Sequence, residues 1–465
     1  MITQEYYDSE QLAESFCQAT EPRAYMASKI QLFAVIVYII SQGFAIPILA
    51  VGPSWAVWPR LDDFATLFLF LVYLGSRSRI YSMDRRERFF YVIWIVLILY
   101  TIPSTLVGVL MRPELSKGLT FGVFQTFRVF EYGLVWLCIR GMSFSRRQFD
   151  VITRTFFCVF IFVLIICIGN VTGFIPASRL VAHLPQGPVC GPWLYVHTKT
   201  SASEALGPYG WNPHYLDVQL ICIMAVILAA SKPSLFFRIF AAGAIGIIII
   251  MSGSRAPLAG FAVALAIWSS KSIKQFMFLI FIIVIGAISF HFIAGLAEVS
   301  VIEYAFERTQ SLVGISDPTL SGRTGHWRYI FEFIINNPMI FITGVGWGFS
   351  GHVLGGITTA HNTFLQAFVE MGIFGASLFF IFLFAIYRLL LGNNPLKKAV
   401  RSALLGLMVV SLTHETLYPY TNNGSFHGLL LAIVAIAGAT ERGFNIEESY
   451  YAEYESEQGE HFNGC

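Results

Sequence analysis

The chain has 465 residues, of which 56% are apolar and only 12% are charged, and its net charge is +2. Soluble globular proteins carry about 25% charged residues, so this composition excludes an ordinary soluble protein. It predicts an all-α integral membrane protein. The 30 basic and 28 acidic residues are too evenly balanced to indicate a nucleic-acid partner.

Apolar segments recur along the chain at lengths that suit a bilayer, which a helix of about 20 residues crosses. The first begins near Ile30, behind a polar tail, and we expect it to remain as an uncleaved anchor. We predict twelve transmembrane helices, near 30–51, 62–75, 89–110, 119–139, 155–171, 214–230, 237–253, 256–270, 275–293, 361–388, 401–414 and 427–440. The second, eighth, eleventh and twelfth are short enough to be re-entrant segments instead.

The basic residues indicate the side of each connection, because Lys and Arg in short loops stay in the cytoplasm. Alternate connections divide them unequally, with twenty of the thirty on one side and nine on the other. Both termini are therefore predicted to be cytoplasmic and the two long loops periplasmic. The chain then divides into seven parts: a cytoplasmic tail (1–29), five helices (30–171), a periplasmic loop (172–213), four helices (214–293), a large periplasmic loop with amphipathic helices (294–360), three helices (361–440) and an acidic cytoplasmic tail (441–465). We expect the acidic tail to be disordered.

The seven cysteines and ten histidines are possible metal ligands. The cysteines show neither a disulfide framework nor a metal-binding spacing. Nine histidines fall at or beyond the predicted outer ends of helices, namely His183, His197, His214, His291, His326, His352, His361, His414 and His427. None of them has a His-x-x-x-His spacing, so we predict no metal site and no cofactor.

Two charged residues lie inside the fourth predicted helix, where charge is costly and usually faces a cavity. Arg128 and Glu131 are three residues apart, so they share one helical face and are close enough to pair. The pair either fixes the packing of the helices or helps to hold a substrate.

Arg255 lies in the short connection between the seventh and eighth predicted helices. Gly253 and Pro257 shape a tight turn there, and the next helix starts at once. A guanidinium beside the N–H groups that begin a helix forms a good anion site. The alternative is that Arg255 extends to the lipid headgroups.

Polar residues gather near the end of the second long loop. Arg323, His326 and Arg328 open an amphipathic stretch, and a glycine-rich turn follows at 344–348. This turn lacks the Lys-Ser/Thr of a nucleotide-binding loop. We expect it to form a tight bend at the membrane surface.

His361 and Asn362 open the tenth predicted helix, where they either cap the helix or contribute chemistry. A neutral histidine accepts a proton from a hydroxyl near neutral pH, and arginines hold a diphosphate through paired hydrogen bonds. His214, His414 and His427 are predicted on the same face of the membrane as the arginines. Together these residues indicate group transfer from a phosphorylated lipid.

The stretch from Gly207 to Gly375 resembles the bacterial O-antigen ligase and polymerase superfamily. The pieces that carry the resemblance are GPYGWNPHYLDVQL (207–220), SGSRAPLAGF (252–261), and SGRTGHW (321–327) followed by GVGWG (344–348) and HNTFLQAFVEMGIFG (361–375). The resemblance implies a GT-C-like protein of the bacterial inner membrane that transfers glycans without a metal. The donor would be a glycan on undecaprenyl diphosphate, and the active face would be periplasmic.

Carried over residue by residue, the resemblance implies that Arg255 and Arg323 clamp the diphosphate and that His361 positions or deprotonates the acceptor hydroxyl. Residues expected to bind substrate are Arg128, Glu131, Arg328, His326, Asn362, His214 and His414. The acceptor would be the lipid A core in a ligase, or another lipid-linked repeat unit in a polymerase. Trp211 departs from the small residues and Asn common in the family's loop, so the acceptor stays open, as does the oligomeric state.

A secondary transporter and a lipid-linked oligosaccharide flippase are the alternatives from other classes. Twelve helices with both termini inside is also the plan of the major facilitator family, and SMDRRERFF (82–90) is similar to its Asp-Arg signature. The two halves show no repeat, however, and the long loops do not lie between the sixth and seventh helices. A flippase would need its charges along a central cavity, whereas the charges of this chain are predicted mostly at the outer surface. A purely structural scaffold is a further alternative, but it gives no reason to gather Arg and His on one face of the membrane.

Overall fold

The described part of the chain is helical. The computed structural model describes residues 26–44, 47–49, 58–76, 82–111, 116–171, 174–175, 180, 213–230, 234–252, 254–270, 273, 274, 277, 281, 323–350, 360–419 and 426–462. These residues contain no strand, and one isolated bridge joins Pro47 to Arg60. The prediction of an all-helical protein is confirmed for them.

Thirteen helices lie within the described ranges. They are α1 (Lys29–Ser41), α2 (Leu61–Gly75), α3 (Arg85–Met111), α4 (Ser116–Arg140), α5 (Arg146–Val171), α6 (Pro213–Ala229), α7 (Leu235–Met251), α8 (Arg255–Ser269), α9 (Arg323–Asn336), α10 (Pro338–Thr343), α11 (Thr363–Leu389), α12 (Pro395–Ser411) and α13 (Phe426–Phe462).

Four of these helices, α3, α5, α11 and α13, contain segments that are long and apolar enough to cross a membrane. Further apolar helices, among them α1, α6, α7 and α8, are shorter. The predicted ninth transmembrane helix, 275–293, lies outside the described residues except at two positions. The number of twelve and the side of each connection therefore stay predictions.

Two glycines bring α8 and α12 into close contact. A Cβ atom on Gly260 would lie 2.6 Å from the carbonyl oxygen of Gly406, and one on Gly406 would meet the backbone of Gly260. Such small residues let helices approach at backbone distance in a membrane. α12 also packs on α6, and α6 on α7. Helices α6, α7, α8 and α12 thus form one packed group.

The glycine-rich turn forms the predicted tight bend, and it is buried within the protein. Its position relative to the membrane surface stays a prediction. Gly344, Gly346 and Gly348 have φ angles of 72°, 102° and 84°, which glycine adopts readily. A Cβ atom on Gly346 would collide with Gly108 of α3, and one on Gly348 with Gly122 of α4. The turn is buried because glycines on both sides let one backbone approach another.

The acidic tail is helical as far as Phe462, so the expectation of disorder is wrong for this part. α13 continues from its apolar portion without a break. At the start of the tail, Arg442 donates to Glu87 at 3.0 Å and to the carbonyl oxygen of Arg140. The tail continues a helix that has already formed, and the bonds of Arg442 hold the start of the tail. No further free energy is needed to nucleate a helix there.

Candidate active site

His361 lies in the turn immediately before α11, with a left-handed φ of 47° that is uncommon outside glycine. The helix is capped by Asn362, whose side-chain oxygen accepts from the N–H groups of Phe364 and Leu365, both at 2.9 Å. The side-chain nitrogen of Asn362 donates to the carbonyl oxygen of Leu412 at 2.8 Å. Capping therefore accounts for Asn362 and leaves the imidazole of His361 for another purpose.

The turn that follows α12, residues 412–418, brings a carboxylate to His361. Thr363 holds this turn, since its N–H and its hydroxyl donate to the carbonyl oxygen of His414 at 3.2 and 3.1 Å. Glu415 then faces His361, with Oε2 3.5 Å from Nδ1. The side chain of Glu415 is 6% exposed and that of His361 is 37% exposed. The buried carboxylate of Glu415 thus lies beside the imidazole of His361, which is exposed enough for a substrate to reach.

The surroundings of Glu415 keep it ionised at neutral pH. Burial raises the pKa of this carboxyl, but His414 and His361 beside it lower the pKa by more, and the result is about 2. Glu415 is therefore a carboxylate that can orient the imidazole of His361 and stabilise a positive charge on it.

We expect Glu415 to make stability depend on pH in acid. Its pKa in the folded protein lies below the ordinary value of 4.5, so its contribution to the free energy of unfolding is complete above about pH 4.5 and is lost as the pH falls towards about 2. Thermal unfolding of the purified protein in detergent, with Glu415→Gln as the control, measures this. The difference between the two proteins should shrink below about pH 4.5, and a constant difference would contradict the assignment.

Three more histidines surround this pair and form with His361 a histidine cluster, His214, His326, His361 and His414. The ring centre of His414 lies 6.2 Å from that of His361 and 4.2 Å from that of His214. The ring of His326 stacks on that of His361, with centres 6.1 Å apart. Arg323 is close enough to act electrostatically on both His214 and His414. Residues from α6, α9 and the ends of α11 and α12 therefore meet at one point.

Arg255 follows directly on a turn that is bonded to α6, the helix that carries His214. Ser252 donates to Asp217 at 2.6 Å and accepts from the N–H of Ser254 at 3.3 Å, so Asp217 holds the turn that precedes α8. Asp217 lies one helical turn from His214 on α6. The Nε atom of Arg255 is buried and has no hydrogen-bond partner among the described residues. The guanidinium of Arg255 thus has one buried donor atom unused.

Arg128 and Glu131 belong to a second buried group of charges. Arg128 donates to Glu131 at 2.6 Å and also pairs with Asp63, and only 3% of its side chain is exposed. Beside them, Arg60 pairs with Asp62 at 3.2 Å. The predicted pairing of Arg128 with Glu131 is confirmed. Because α2 supplies a further carboxylate to Arg128, the geometry favours helix packing over substrate binding.

Among the residues that the structure describes, two sets of side chains have donor atoms close enough together to hold a metal ion. The sets are His361, His414 and Glu415, and Asp62, Asp63 and Glu131, and within each set the donor atoms lie within 4.8 Å of one another. The second set is already paired with arginines. The first set has the imidazole and carboxylate donors that suit Zn²⁺. Its residues come from two segments distant in sequence, so the absence of a His-x-x-x-His spacing is no argument against a metal ion at this place.

The comparison with known proteins covers the part of the chain that carries several of these residues. Residues 239–380 match the family described as O-antigen ligase, and no curated protein matches the chain. The matched range covers less than a third of the chain, but it includes Arg255, Arg323 and His361. It also contains α8, α9, α10 and most of α11. This match shows that residues 239–380 are similar to the O-antigen ligase family, and it supports membership of the O-antigen ligase and polymerase superfamily.

Proposed function

We propose that the protein is a membrane glycosyltransferase of the bacterial inner membrane. It takes a glycan from undecaprenyl diphosphate and joins it to an acceptor hydroxyl at the periplasmic face. The match of residues 239–380 to the O-antigen ligase family supports a role in glycan transfer in a membrane. The observation that carries the proposal is the contact of the partly exposed His361 with the buried Glu415, 3.5 Å apart, in a cluster that Arg323 adjoins.

His361 accepts the proton of the acceptor. With the proton of Nδ1 held towards Glu415, Nε2 carries the lone pair that takes the hydroxyl proton. The acceptor oxygen forms the new bond to C1 of the glycan as its proton moves to His361. The carboxylate of Glu415 stabilises the positive charge that develops on the imidazole.

Arg255 and Arg323 stabilise the leaving group. Each is the first residue of a helix, α8 and α9 respectively, so the positive end of a helix dipole lies beside each guanidinium. The bond between C1 and the phosphate oxygen breaks, and the diphosphate leaves with the electron pair. Two guanidinium groups can hold this anion through paired hydrogen bonds and offset its added charge.

The remaining predicted residues divide between binding and structure. We assign His214, His326 and His414 to substrate binding because they line the cluster around His361. Arg328 is exposed on α9, and we assign it a secondary contact with the donor. Arg128, Glu131 and Asn362 are assigned to helix packing and capping, since their partners are other protein groups.

The glycans that accumulate in a strain lacking this gene test the function and distinguish the two acceptors. If the protein joins glycan to the lipid A core, the deletion leaves long chains on the carrier lipid. If it joins repeat units to one another, the deletion leaves single repeats. We expect one of these two profiles, restored by the wild-type gene. A glycan profile identical to that of the parent strain would contradict the proposed function.

A further inference from the structure

A second buried carboxylate, Glu370, lies in α11 about two and a half turns from His361. Its side chain is completely buried. Each of its oxygen atoms accepts two hydrogen bonds. Oε1 accepts from the hydroxyl of Ser350 at 2.7 Å and from Nε2 of Gln366 at 3.0 Å, and Oε2 accepts from the hydroxyl of Tyr418 at 2.7 Å and from the N–H of Gly348 at 3.2 Å.

Two of these four donors lead to the candidate active site. Gln366 also accepts from the N–H of Ala360 at 2.8 Å, and Ala360 directly precedes His361. Tyr418 ends the turn that carries Glu415, and its N–H donates to the carbonyl oxygen of Glu415 at 3.1 Å. The same carboxylate is therefore bonded to both segments whose side chains meet in the pair.

The other two donors come from the segment that precedes α11, and Ser350 also accepts from Nε2 of Gln366 at 2.8 Å. Gly348 and Ser350 belong to the buried glycine-rich turn and its continuation. A carboxylate that served only to anchor this turn would have no need of Gln366 and Tyr418. A buried carboxylate that accepts four hydrogen bonds is held rigidly. The segments that donate these bonds are therefore fixed relative to one another.

We propose that Glu370 is a positioning residue that holds His361 and Glu415 at the distance proton transfer requires. The proposal rests on the proposed function of that pair. His361 adopts a left-handed φ of 47°, a conformation that persists only where its surroundings hold it. Misplacement of a reacting group by about 1 Å costs on the order of 100-fold in rate. Glu370 is completely buried, so in this role it acts through the segments bonded to it and not on the substrate.

Two matched variants test this role. Tyr418→Phe and Ser350→Ala each remove one hydroxyl that donates to Glu370 at 2.7 Å. Only Tyr418 leads to Glu415, and in Ser350→Ala the amide of Gln366 keeps its direct bond to Glu370 at 3.0 Å. We expect Tyr418→Phe to lower kcat for glycan transfer about tenfold with an unchanged KM for the lipid-linked donor. Ser350→Ala should stay within about twofold of the wild type. Equal losses in the two variants, or full kcat in Tyr418→Phe, would overturn the proposal.

A second measurement does not depend on activity. Diethyl pyrocarbonate modifies reachable imidazoles, and mass spectrometry gives the rate at His361. The rate should rise in Tyr418→Phe and stay unchanged in Ser350→Ala, and an unchanged rate in both overturns the positioning role. A wild-type protein that transfers no glycan would refute the proposed function, whereas the labelling rates would still decide the role of Glu370. Glu370→Gln keeps the shape of the side chain but has one acceptor oxygen fewer. If this variant folds, the labelling rate at His361 should rise in it as well. If it does not fold, Tyr418→Phe decides the role of Glu370.

Discussion

Replacing His361 with Asn should lower kcat for glycan transfer by about 10²- to 10⁴-fold, the range that a positioned general base contributes. Asn is the suitable substitution because His361 has a φ of 47°, and Asn tolerates the left-handed region better than Ala does. Its amide cannot take the acceptor's proton. The helix cap is unaffected, since Asn362 supplies it.

Transfer by the purified protein in detergent measures this effect, with protein amount and thermal stability compared alongside. Asn362→Ala is the matched control for damage to the same turn. It should cost about 1 kcal/mol of stability through loss of the cap, with a smaller loss of kcat than His361→Asn. If His361→Asn retained half of the wild-type kcat at a normal thermal stability, His361 would not be the base.

Removing Arg323 or Arg255 should lower kcat by about 10²- to 10³-fold, as loss of one electrostatic donor to a leaving group does. Arg323→Lys and Arg255→Lys should recover only part of the rate, because an ammonium cannot form the paired hydrogen bonds that a guanidinium forms with phosphate oxygens. The loss should appear mainly in kcat, because negative charge on the diphosphate increases in the transition state.

Arg328→Ala is the comparison for these arginines. Arg328 lies on the same helix as Arg323 and is exposed, and it points in a different direction because five residues turn the helix by about 500°. We expect its loss to change kcat by less than about threefold. Equal losses for Arg323→Ala and Arg328→Ala would indicate attraction of the donor by overall charge and not a clamp on the diphosphate.

Part of the candidate site was predicted from the sequence. Apolar periodicity and charge distribution predict histidines and arginines on one face of the membrane, and four of these histidines meet beside Arg323. The pairing of Arg128 with Glu131 follows from a spacing of three residues, because it depends on one helix and not on which helices are neighbours.

The partners of those side chains were not predicted. Glu415 follows His414 directly, yet nothing local indicates that its turn folds back against His361. Asp217 and Glu370 are isolated acids in apolar helices, a signal that charge in a membrane has a purpose, but their partners come from other helices. The same limit applies to the burial of the glycine-rich turn, which depends on glycines in α3 and α4.

The length of α13 has a practical consequence. Its 37 residues extend over about 55 Å, whereas the apolar core of a bilayer is about 30 Å thick. The charge distribution predicts the C terminus inside, and on that topology we expect the last part of α13 to form a stalk that extends beyond the lipid. A fluorescent protein fused after this stalk would be separated from the headgroups and from the periplasmic chemistry, which makes the C terminus the preferred end for a tag in assays of location.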